Sequence, residues 1–325
     1  MSQIIDKYQK SFALALDTLS WEGKPSSLYH PAEYIMSLGG KRLRPILTFI
    51  GAQLYTEDIQ KAIPPALAVE IFHNFSLVHD DIMDEAPLRR GKPTVHEKWN
   101  DNIAILSGDM MLIKAYQQLE KVDNNLQSTL LPIFSKMAVE VCEGQMLDMD
   151  FEKRETVTSE EYLDMIAYKT SVLIGAAFQM GALVGGATPE DAEKLYTFGL
   201  DLGISFQIMD DYLDVYGDPE KFGKQVGGDI LANKKTLLQI EAIKRAQGTS
   251  HEAELIKWME TSDQPSQKIQ AVTQIYSQLG IDQYALQKAE DYYHLALEQI
   301  EPLHISDEKK SEVKAFAHWL FHRDR

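Results

Sequence analysis

The sequence contains one acidic pattern twice, Asp-Asp-x-x-Asp at 80–84 and again at 210–214. On a helix, positions i and i+4 share one face and position i+1 lies about 100° away, so each pattern directs two or three carboxylates to one side. Carboxylates this close repel one another unless a cation lies between them. A hard cation such as Mg²⁺ prefers oxygen ligands and shares its other positions with water and phosphate oxygens. One copy would suit a solvated acidic face, but two copies in apolar surroundings favour a site for a Mg²⁺-bound polyanion.

Three segments rich in glycine and cations are predicted to be functional loops, at 37–45, 85–94 and 222–236, and the last two follow the first and the second acidic pattern. Glycine lets the backbone approach a ligand, and arginine matches phosphate oxygens in a bidentate way. The third loop is either a mobile lid that brings lysines to a phosphate or an ordinary flexible loop. In each loop the cations could instead be solvated or pair with nearby acids. The cations concerned are Lys41, Arg44, Arg89, Arg90, Lys224 and Lys234.

Other polar side chains border apolar stretches. His73 precedes Asp80 by seven residues, which is two helical turns, so it is either a hydrogen-bonded core residue or a partner of the site. Lys169 opens a long apolar stretch, and a lysine that enters a dry interior suggests an anionic partner. Gln145 and Asp148 face roughly the same side of their helix, and we interpret them as support for the site.

Bulk composition excludes several classes of protein. The 325 residues include 32 Lys and Arg against 49 Asp and Glu, a net charge of −17 that argues against nucleic-acid binding and against adhesion to anionic membranes. The single cysteine fits a reducing compartment, and we expect a cytoplasmic protein. Stretch 170–190 has about the length of a membrane span, but its glycines and Gln179 favour a buried core helix, so no membrane span is expected.

Helical periodicity dominates the chain, and strand signals are scarce. The spacing predicts helices at 101–122, 129–150, 189–214, 284–300 and 306–321. The apolar stripe of the first of these consists of Ile103, Leu106, Met110, Ile113 and Leu119. We therefore expect an all-α protein with ten or more helices around one core.

The motifs taken together resemble the trans-isoprenyl diphosphate synthases, the polyprenyl synthetase family, most closely the short-chain geranylgeranyl and farnesyl enzymes. In chain order they read G-G-K-R-x-R-P from Gly39, H-x6-D-D-x-x-D-x4-R-R-G from His73, G-Q-x-x-D from Gly144, K-T at Lys169, F-Q-x-x-D-D-x-x-D from Phe206, and G-K and G-D-x4-K from Gly223 and Gly228. The resemblance implies one polyprenyl synthetase domain over 1–325, a helical bundle around a deep central cavity (the isoprenoid synthase fold), and a homodimer.

The resemblance also implies a reaction, the head-to-tail condensation of isopentenyl diphosphate with dimethylallyl, geranyl or farnesyl diphosphate. Across the cavity, the two acidic motifs would hold three Mg²⁺ ions on the allylic diphosphate. The implied metal ligands are Asp80, Asp84 and Asp210, with Asp81, Asp211 and Asp214 orienting ligands or bound water. The allylic diphosphate would be held by Arg89, Lys169, Lys224 and Lys234, and isopentenyl diphosphate by Lys41, Arg44, His73 and Arg90. Thr170 and Gln207 would stabilise the allylic cation through their oxygens.

Product length depends on the helix that carries Asp80. Phe75 lies about 7–8 Å down that helix and could form the floor of the cavity, whereas Ser76 leaves space. In the resembling family an aromatic residue at this position marks short products, and D-D-x-x-D without an insertion is typical of geranylgeranyl synthases. We expect a C20 product, with C15 as the alternative; a third interpretation is that Phe75 only packs in the core and deeper residues set the length.

Three other functions compete with this interpretation. A terpene cyclase would carry an N-D-x-x-S-x-x-x-E motif, which the sequence lacks. A head-to-head squalene or phytoene synthase would have D-x-x-x-D motifs and would lack the G-G-K-R loop. A non-catalytic regulatory subunit of a prenyl synthase typically loses an acidic motif, and both are intact here.

Overall fold

The computed structural model describes residues 2–218 and 226–322, which are almost entirely helical. The prediction of an all-α protein with ten or more helices is therefore confirmed. The helices are α1 (Ser2–Leu16), α2 (Ser26–Ser37), α3 (Leu43–Gln53), α4 (Ile63–Met83), α5 (Val95–Lys98), α6 (Asp101–Leu119), α7 (Asn124–Lys153), α8 (Ser159–Ile166), α9 (Val172–Gly185), α10 (Pro189–Tyr216), α11 (Gly228–Leu231), α12 (Leu237–Ala246), α13 (Ser250–Glu260), α14 (Pro265–Gln278), α15 (Ile281–Glu298) and α16 (Asp307–His322), with a 3₁₀ turn at Ile59–Ala62 and a π-helical turn at Ala167–Ser171.

All five helices predicted from periodicity are present as α6, α7, α10, α15 and α16, and their ends differ by at most five residues from the predicted ones. The loop at 85–94 contains a feature that the sequence did not indicate. Strands β1 (Leu88–Arg89) and β2 (Lys92–Pro93) form a two-residue antiparallel ladder there. The ladder fixes the turn that follows the first acidic motif.

The described chain forms two compact units. The first comprises the chain up to Ala138, Leu173–Tyr196 and Leu303–Lys309, and the second comprises Val139–Val172, Thr197–Pro302 and the chain from Lys310 onward. The first unit contains the motif at 80–84 and the second contains the motif at 210–214. The single domain over 1–325 stays a prediction.

In the first unit, α4 is buried along most of its length and α6 packs closely against it. Close packing requires a small residue at the contact. A Cβ atom built on Gly108 would lie only 2.3 Å from Nε2 of His79. The same nitrogen lies 3.1 Å from the carbonyl oxygen of Ile105, so the imidazole fills the space that Gly108 leaves.

The predicted apolar stripe of α6 does not face the core along its whole length. Leu119 is fully buried, but the side chains of Leu106 and Ile113 are 60% and 59% exposed. The residues that α6 does bury are mostly small, including Ala104 and Gly108. Small residues permit the short distance to α4, and they leave the large apolar side chains on the outside.

In the second unit, the π-helical turn Ala167–Ser171 interrupts what would otherwise be one long helix. Helix α8 starts with a capping box between Thr158 and Glu161. The Ser171 hydroxyl donates to the carbonyl oxygen of Ile166, five residues earlier, at 3.3 Å. Single π turns often occur at functional sites, and this one carries Lys169 and Thr170.

The stretch Ser159–Gly185 is long and apolar enough to cross a membrane by length and composition, and it is the one such stretch among the described residues. In the most apolar part of it, 78% of the residues are buried inside the protein. This burial matches the predicted core helix.

Candidate active site

The first acidic cluster occupies the C-terminal end of α4. Asp80 and Asp81 lie in its last turn, and Asp84 is the C-cap, with its N–H donating to the carbonyl oxygen of Asp80 at 2.9 Å. Asp84 is exposed and the side chain of Asp80 is 20% exposed, whereas that of Asp81 is only 1% exposed. The two outer carboxylates are therefore accessible and the central one is not.

Asp81 is buried because Arg89 covers it with a bidentate ion pair. Arg89 Nε donates to both carboxylate oxygens at 2.8 and 2.9 Å, and Nη2 donates to Oδ1 at 2.6 Å. The pairing of this arginine with a nearby acid, one of the two possibilities left by the sequence, is thus observed. It leaves Nη1 of Arg89 without a hydrogen-bond acceptor among the described residues, so this nitrogen is available to donate to a diphosphate oxygen.

A cationic cluster surrounds His73 in the same unit. Arg44 Nη1 lies 3.1 Å from His73 Nε2. Burial, and then the charges of Arg44, Arg90, Arg89 and Arg42, hold the pKa of His73 well below its usual value. The imidazole is therefore neutral, and Nε2 accepts a hydrogen bond from Arg44. Three of the predicted isopentenyl diphosphate residues, Arg44, His73 and Arg90, are thus brought together.

The loop before α3 holds these cations in place. Arg90 Nη1 donates to the carbonyl oxygen of Gly39, and its guanidinium covers Gly40, where a Cβ atom would lie 2.9 Å from Arg90 Cζ. Gly40 has φ of 126°, a conformation that favours glycine. Lys41, the fourth predicted residue, is exposed, and its carbonyl oxygen accepts from Gln9 Nε2 at 3.3 Å.

Glu70 is a site residue that the sequence did not single out. Its carboxylate, 2% exposed, accepts from Arg42 Nη1, and Arg42 also donates to the carbonyl oxygen of Met36. Arg42 has φ of 48°, so these bonds hold a non-glycine residue in the left-handed conformation between Lys41 and Arg44. The position of Glu70 three residues before His73 on α4 was the available signal, since positions i and i+3 lie on one helical face.

The second acidic cluster lies at the C-terminal end of α10. Asp211, the central residue, is 6% exposed, and Asp210 and Asp214 are more accessible. Two neighbours orient the Asp211 carboxylate: the hydroxyl of Tyr162 donates to Oδ2, and Gln207 Nε2 donates to Oδ1 at 3.1 Å. Each acidic motif therefore has a buried central aspartate fixed by a neighbour. The orienting role of Asp81, Asp211 and Asp214 stays a prediction. Tyr162 was missed because nothing in the sequence distinguishes it from a core tyrosine.

Burial and the nearby charge of Asp229 raise the pKa of Asp211 to about 7, while the hydrogen bonds from Tyr162 and Gln207 and the charge of Lys234 act in the opposite direction. Lys234 therefore lies close enough to the second cluster for its charge to act there. Lys224 lies outside the described residues.

Lys169 and Thr170 occupy the π-helical turn. Lys169 Nζ forms an ion pair of 2.6 Å with Asp148, so the anionic partner that the sequence suggested is present. The Thr170 hydroxyl donates to Gln207 Oε1 at 3.4 Å. The two residues predicted to stabilise a carbocation thus lie side by side, linked through Gln207 to Asp211.

Two glycines make room for the π-helical turn. A Cβ atom on Gly144 would lie 2.2 Å from the backbone nitrogen of Lys169, and one on Gly203 would lie 2.8 Å from the side chain of Ser171. Steric fit therefore explains why the G-Q-x-x-D motif has a glycine at this position. It allows α7 to approach the backbone that carries Lys169 and Thr170.

Phe75 and Ser76 lie on α4 before the first cluster. Phe75 is 7% exposed and packs against Phe72 and His79, with ring centroids 5.5 and 4.9 Å apart. Phe134 extends this aromatic group from Phe72 at 5.5 Å. The Ser76 hydroxyl donates to the carbonyl oxygen of His73 at 2.9 Å, so it is occupied within α4.

Comparison with known proteins identifies the family. The family model described as Polyprenyl synthetase matches residues 25–279, most of the chain. The chain belongs to the polyprenyl synthetase family. The resemblance inferred from the motifs is thus confirmed.

Two relatives in the polyprenyl synthetase family cover 71% and 100% of the chain. It is 46% identical over 233 residues, 71% of this chain and 72% of the relative, to a geranylgeranyl diphosphate synthase of Methanosarcina mazei. It is 36% identical over 326 residues, 100% of this chain and 99% of the relative, to a geranylgeranyl pyrophosphate synthase of Geoglobus acetivorans. A crystal structure of a geranylgeranyl pyrophosphate synthase has a TM-score of 0.91 at 44% identity, over 100% of this chain and 99% of that chain. This likeness confirms the isoprenoid synthase fold.

The acidic residues of this polyprenyl synthetase suit a cation that is only partly coordinated by protein. No group of three or more His, Cys, Asp or Glu side chains among the described residues is arranged around one metal position. Mg²⁺ binds in such places through one or two carboxylates, water and substrate phosphates. Both clusters also stand at helix C-termini, where the helix dipole disfavours negative charge and a cation would relieve the repulsion. The residues therefore fit Mg²⁺ that arrives with a diphosphate.

Proposed function

We propose that this protein is a short-chain prenyl diphosphate synthase that condenses isopentenyl diphosphate with an allylic diphosphate in the presence of Mg²⁺. The observation that carries the proposal is that one polyprenyl synthetase chain contains two intact acidic clusters and a cationic cluster around a neutral His73. The relatives named above are geranylgeranyl diphosphate synthases, which supports geranylgeranyl diphosphate, C20, as the product. Farnesyl diphosphate, C15, is the alternative.

The proposed reaction begins with cleavage of the allylic C–O bond, which leaves an allylic cation and diphosphate. When bound through Asp80, Asp84 and Asp210, three Mg²⁺ ions would neutralise charge on the leaving diphosphate. Lys169 and Lys234 add positive charge there. Gln207 and Thr170 direct oxygen atoms at the cation, which must be protected from water until the next step.

Isopentenyl diphosphate supplies the electrons of the new bond. Lys41, Arg44 and Arg90 bind its diphosphate, and neutral His73 fixes the guanidinium of Arg44 by accepting its hydrogen bond. The double bond attacks the allylic cation, a C–C bond forms, and the resulting cation loses a proton to the departed diphosphate. No side chain is required as the base.

The test of the function is product analysis by mass spectrometry. Purified protein is incubated with Mg²⁺, isopentenyl diphosphate and dimethylallyl, geranyl or farnesyl diphosphate. We expect elongation that ends at C20 and stops when EDTA is added. Absence of elongation with every primer would refute the synthase function and favour a regulatory subunit.

Phe75 is proposed as the floor for the growing chain. Phe75→Ala is expected to move the main product from C20 to C25 and longer, since removal of the buried ring opens space along α4. The product distribution from farnesyl diphosphate, measured below the unfolding temperature, checks this. Phe49→Ala, another buried phenylalanine of the first unit, should leave the product at C20. Unchanged products from Phe75→Ala would mean that deeper residues set the length.

We propose that the protein is a cytoplasmic homodimer whose interface includes the outer face of α6. Leu106 and Ile113 are seven residues apart, on one helical face, and both are more than half exposed. Leu106→Glu is expected to convert a dimer into a monomer in light scattering, because it places a charge in an apolar interface. Leu14→Glu, the same change at a side chain that is 71% exposed on α1, should leave the dimer intact. A monomeric wild-type protein at micromolar concentration would contradict the proposal.

A further inference from the structure

We propose that Lys268 is a positioning residue that holds Lys234 toward the second acidic cluster through the side-chain amide of Asn233. The inference rests on the proposed function, because it assigns Lys234 to the allylic diphosphate. Lys268 is distant in sequence from every motif of the family resemblance and follows the last one by more than thirty residues.

Lys268 is a buried cation with an unusual partner. It lies on α14, is 3% exposed, and its Nζ donates to Asn233 Oδ1 at 2.8 Å. Among the described residues, no carboxylate lies within ion-pair distance of Nζ. Burial lowers the pKa of Lys268. Burying an ammonium group against one neutral amide does not favour folding, so its stabilising effect alone does not account for this lysine.

Both ends of the Asn233 amide are fixed. Oδ1 accepts from Lys268, and Nδ2 donates to the carbonyl oxygen of Met259 on α13 at 2.9 Å. The backbone of Asn233 has φ of 49°, the left-handed conformation that asparagine tolerates better than most residues. Helices α13 and α14 therefore set the turn from which the next residue, Lys234, departs.

The other end of this turn is attached to the acidic motif itself. The N–H groups of Gly227 and Asp229 donate to the carbonyl oxygen and to Oδ2 of Asp214, at 2.6 and 2.9 Å. The N–H of Lys234 in turn donates to the carbonyl oxygen of Asp229 at 2.9 Å. A Cβ atom on Gly227 would lie 2.7 Å from the side chain of Ile269, the neighbour of Lys268, so this glycine permits a close approach to α14. Segment 227–234 is thus attached to Asp214 at one end and to α14 at the other. Through its hydrogen bond to Asn233, Lys268 determines where Lys234 lies.

The test is Lys268→Met, which keeps the length and apolar stem of the side chain and removes the charge. The lost hydrogen bond and the removed desolvation cost oppose each other, so we expect an unfolding temperature within about 2 °C of wild type. The KM for the allylic diphosphate should rise about 10-fold, the effect of weakening one charge-assisted contact, while the KM for isopentenyl diphosphate stays unchanged. Lys257→Met changes an exposed lysine on α13 and is the matched control. It should have the unfolding temperature and both KM values of wild type.

A binding measurement separates this inference from the proposed function. Calorimetry with inorganic diphosphate and Mg²⁺ should show about 10-fold weaker binding to Lys268→Met than to wild type, whether or not the protein elongates a prenyl chain. Failure of wild type to elongate any primer would refute the synthase function only. If the variant has the diphosphate affinity and the allylic KM of wild type, the inference is overturned. A lowered unfolding temperature together with these unchanged values would show that Lys268 is purely structural.

Discussion

Asp80→Asn is expected to reduce the rate of prenyl-chain elongation about 10²–10³-fold at saturating substrates, the range observed when one group that stabilises transition-state charge is removed. The amide keeps the shape of the side chain and removes the negative charge that would bind Mg²⁺. Asp80 is partly accessible at the end of α4, where the helix dipole disfavours a carboxylate, and its ion pair with Arg89 Nη2 is long, at 3.9 Å, and contributes little. The same change should therefore leave the unfolding temperature without Mg²⁺ unchanged or raise it.

The decisive measurement for Asp80→Asn is kcat over a Mg²⁺ titration, together with thermal unfolding in EDTA. A higher Mg²⁺ requirement with normal or increased stability identifies a metal ligand. Asp6→Asn, an exposed aspartate on α1, is the control and should behave as wild type in both measurements. A rate within about threefold of wild type at equal Mg²⁺ would remove Asp80 from the proposed metal site.

Gly144→Ala is expected to lower kcat about 10²-fold, because its Cβ would meet the backbone nitrogen of Lys169 at 2.2 Å. A flexible side chain could move away, but this backbone belongs to the π-helical turn that carries Lys169 and Thr170. Relief of the overlap therefore displaces the groups assigned to the allylic diphosphate and to the cation. Overpacking of this kind also costs about 1–3 kcal/mol of stability.

The effect of Gly144→Ala must be separated from loss of folding. Circular dichroism should show a folded helical protein with an unfolding temperature a few degrees below wild type, and kcat is measured well below that temperature. Glu143→Ala, the exposed neighbour on α7, is the control. Normal kcat in folded Gly144→Ala would show that Lys169 and Thr170 do not need this close approach.

The proposed arrangement of charges also explains why the acidic clusters are costly to the fold. Of the three carboxylates at the end of α4, the structure buries and pairs Asp81, while Asp80 and Asp84 stay accessible. At the end of α10, Asp211 is buried and its pKa is raised to about 7. The fold thus orients the central aspartate of each motif and presents the outer ones, as expected if stability is given up for ligand binding.

Much of this protein was determined by the sequence alone. Periodicity is a local property, so the all-α class and the five predicted helices could be derived from it, with errors of a few residues at the helix ends. The motifs were sufficient to predict the family, because its chemistry needs carboxylates and cations at fixed spacings. An anionic partner of Lys169 could be anticipated because a lysine that leads into a dry interior suggests one, and the structure shows that Asp148 pairs with it.

Only the tertiary structure decided how the site residues are held. The outward face of α6 could not be predicted from its apolar stripe, because packing against α4 selects small residues and leaves Leu106 and Ile113 outside. Glu70, Tyr162 and Lys268 act through partners far away in sequence, and such contacts leave no local pattern. Local spacing thus specifies the groups that carry the chemistry, whereas steric fit and distant hydrogen bonds specify their orientation.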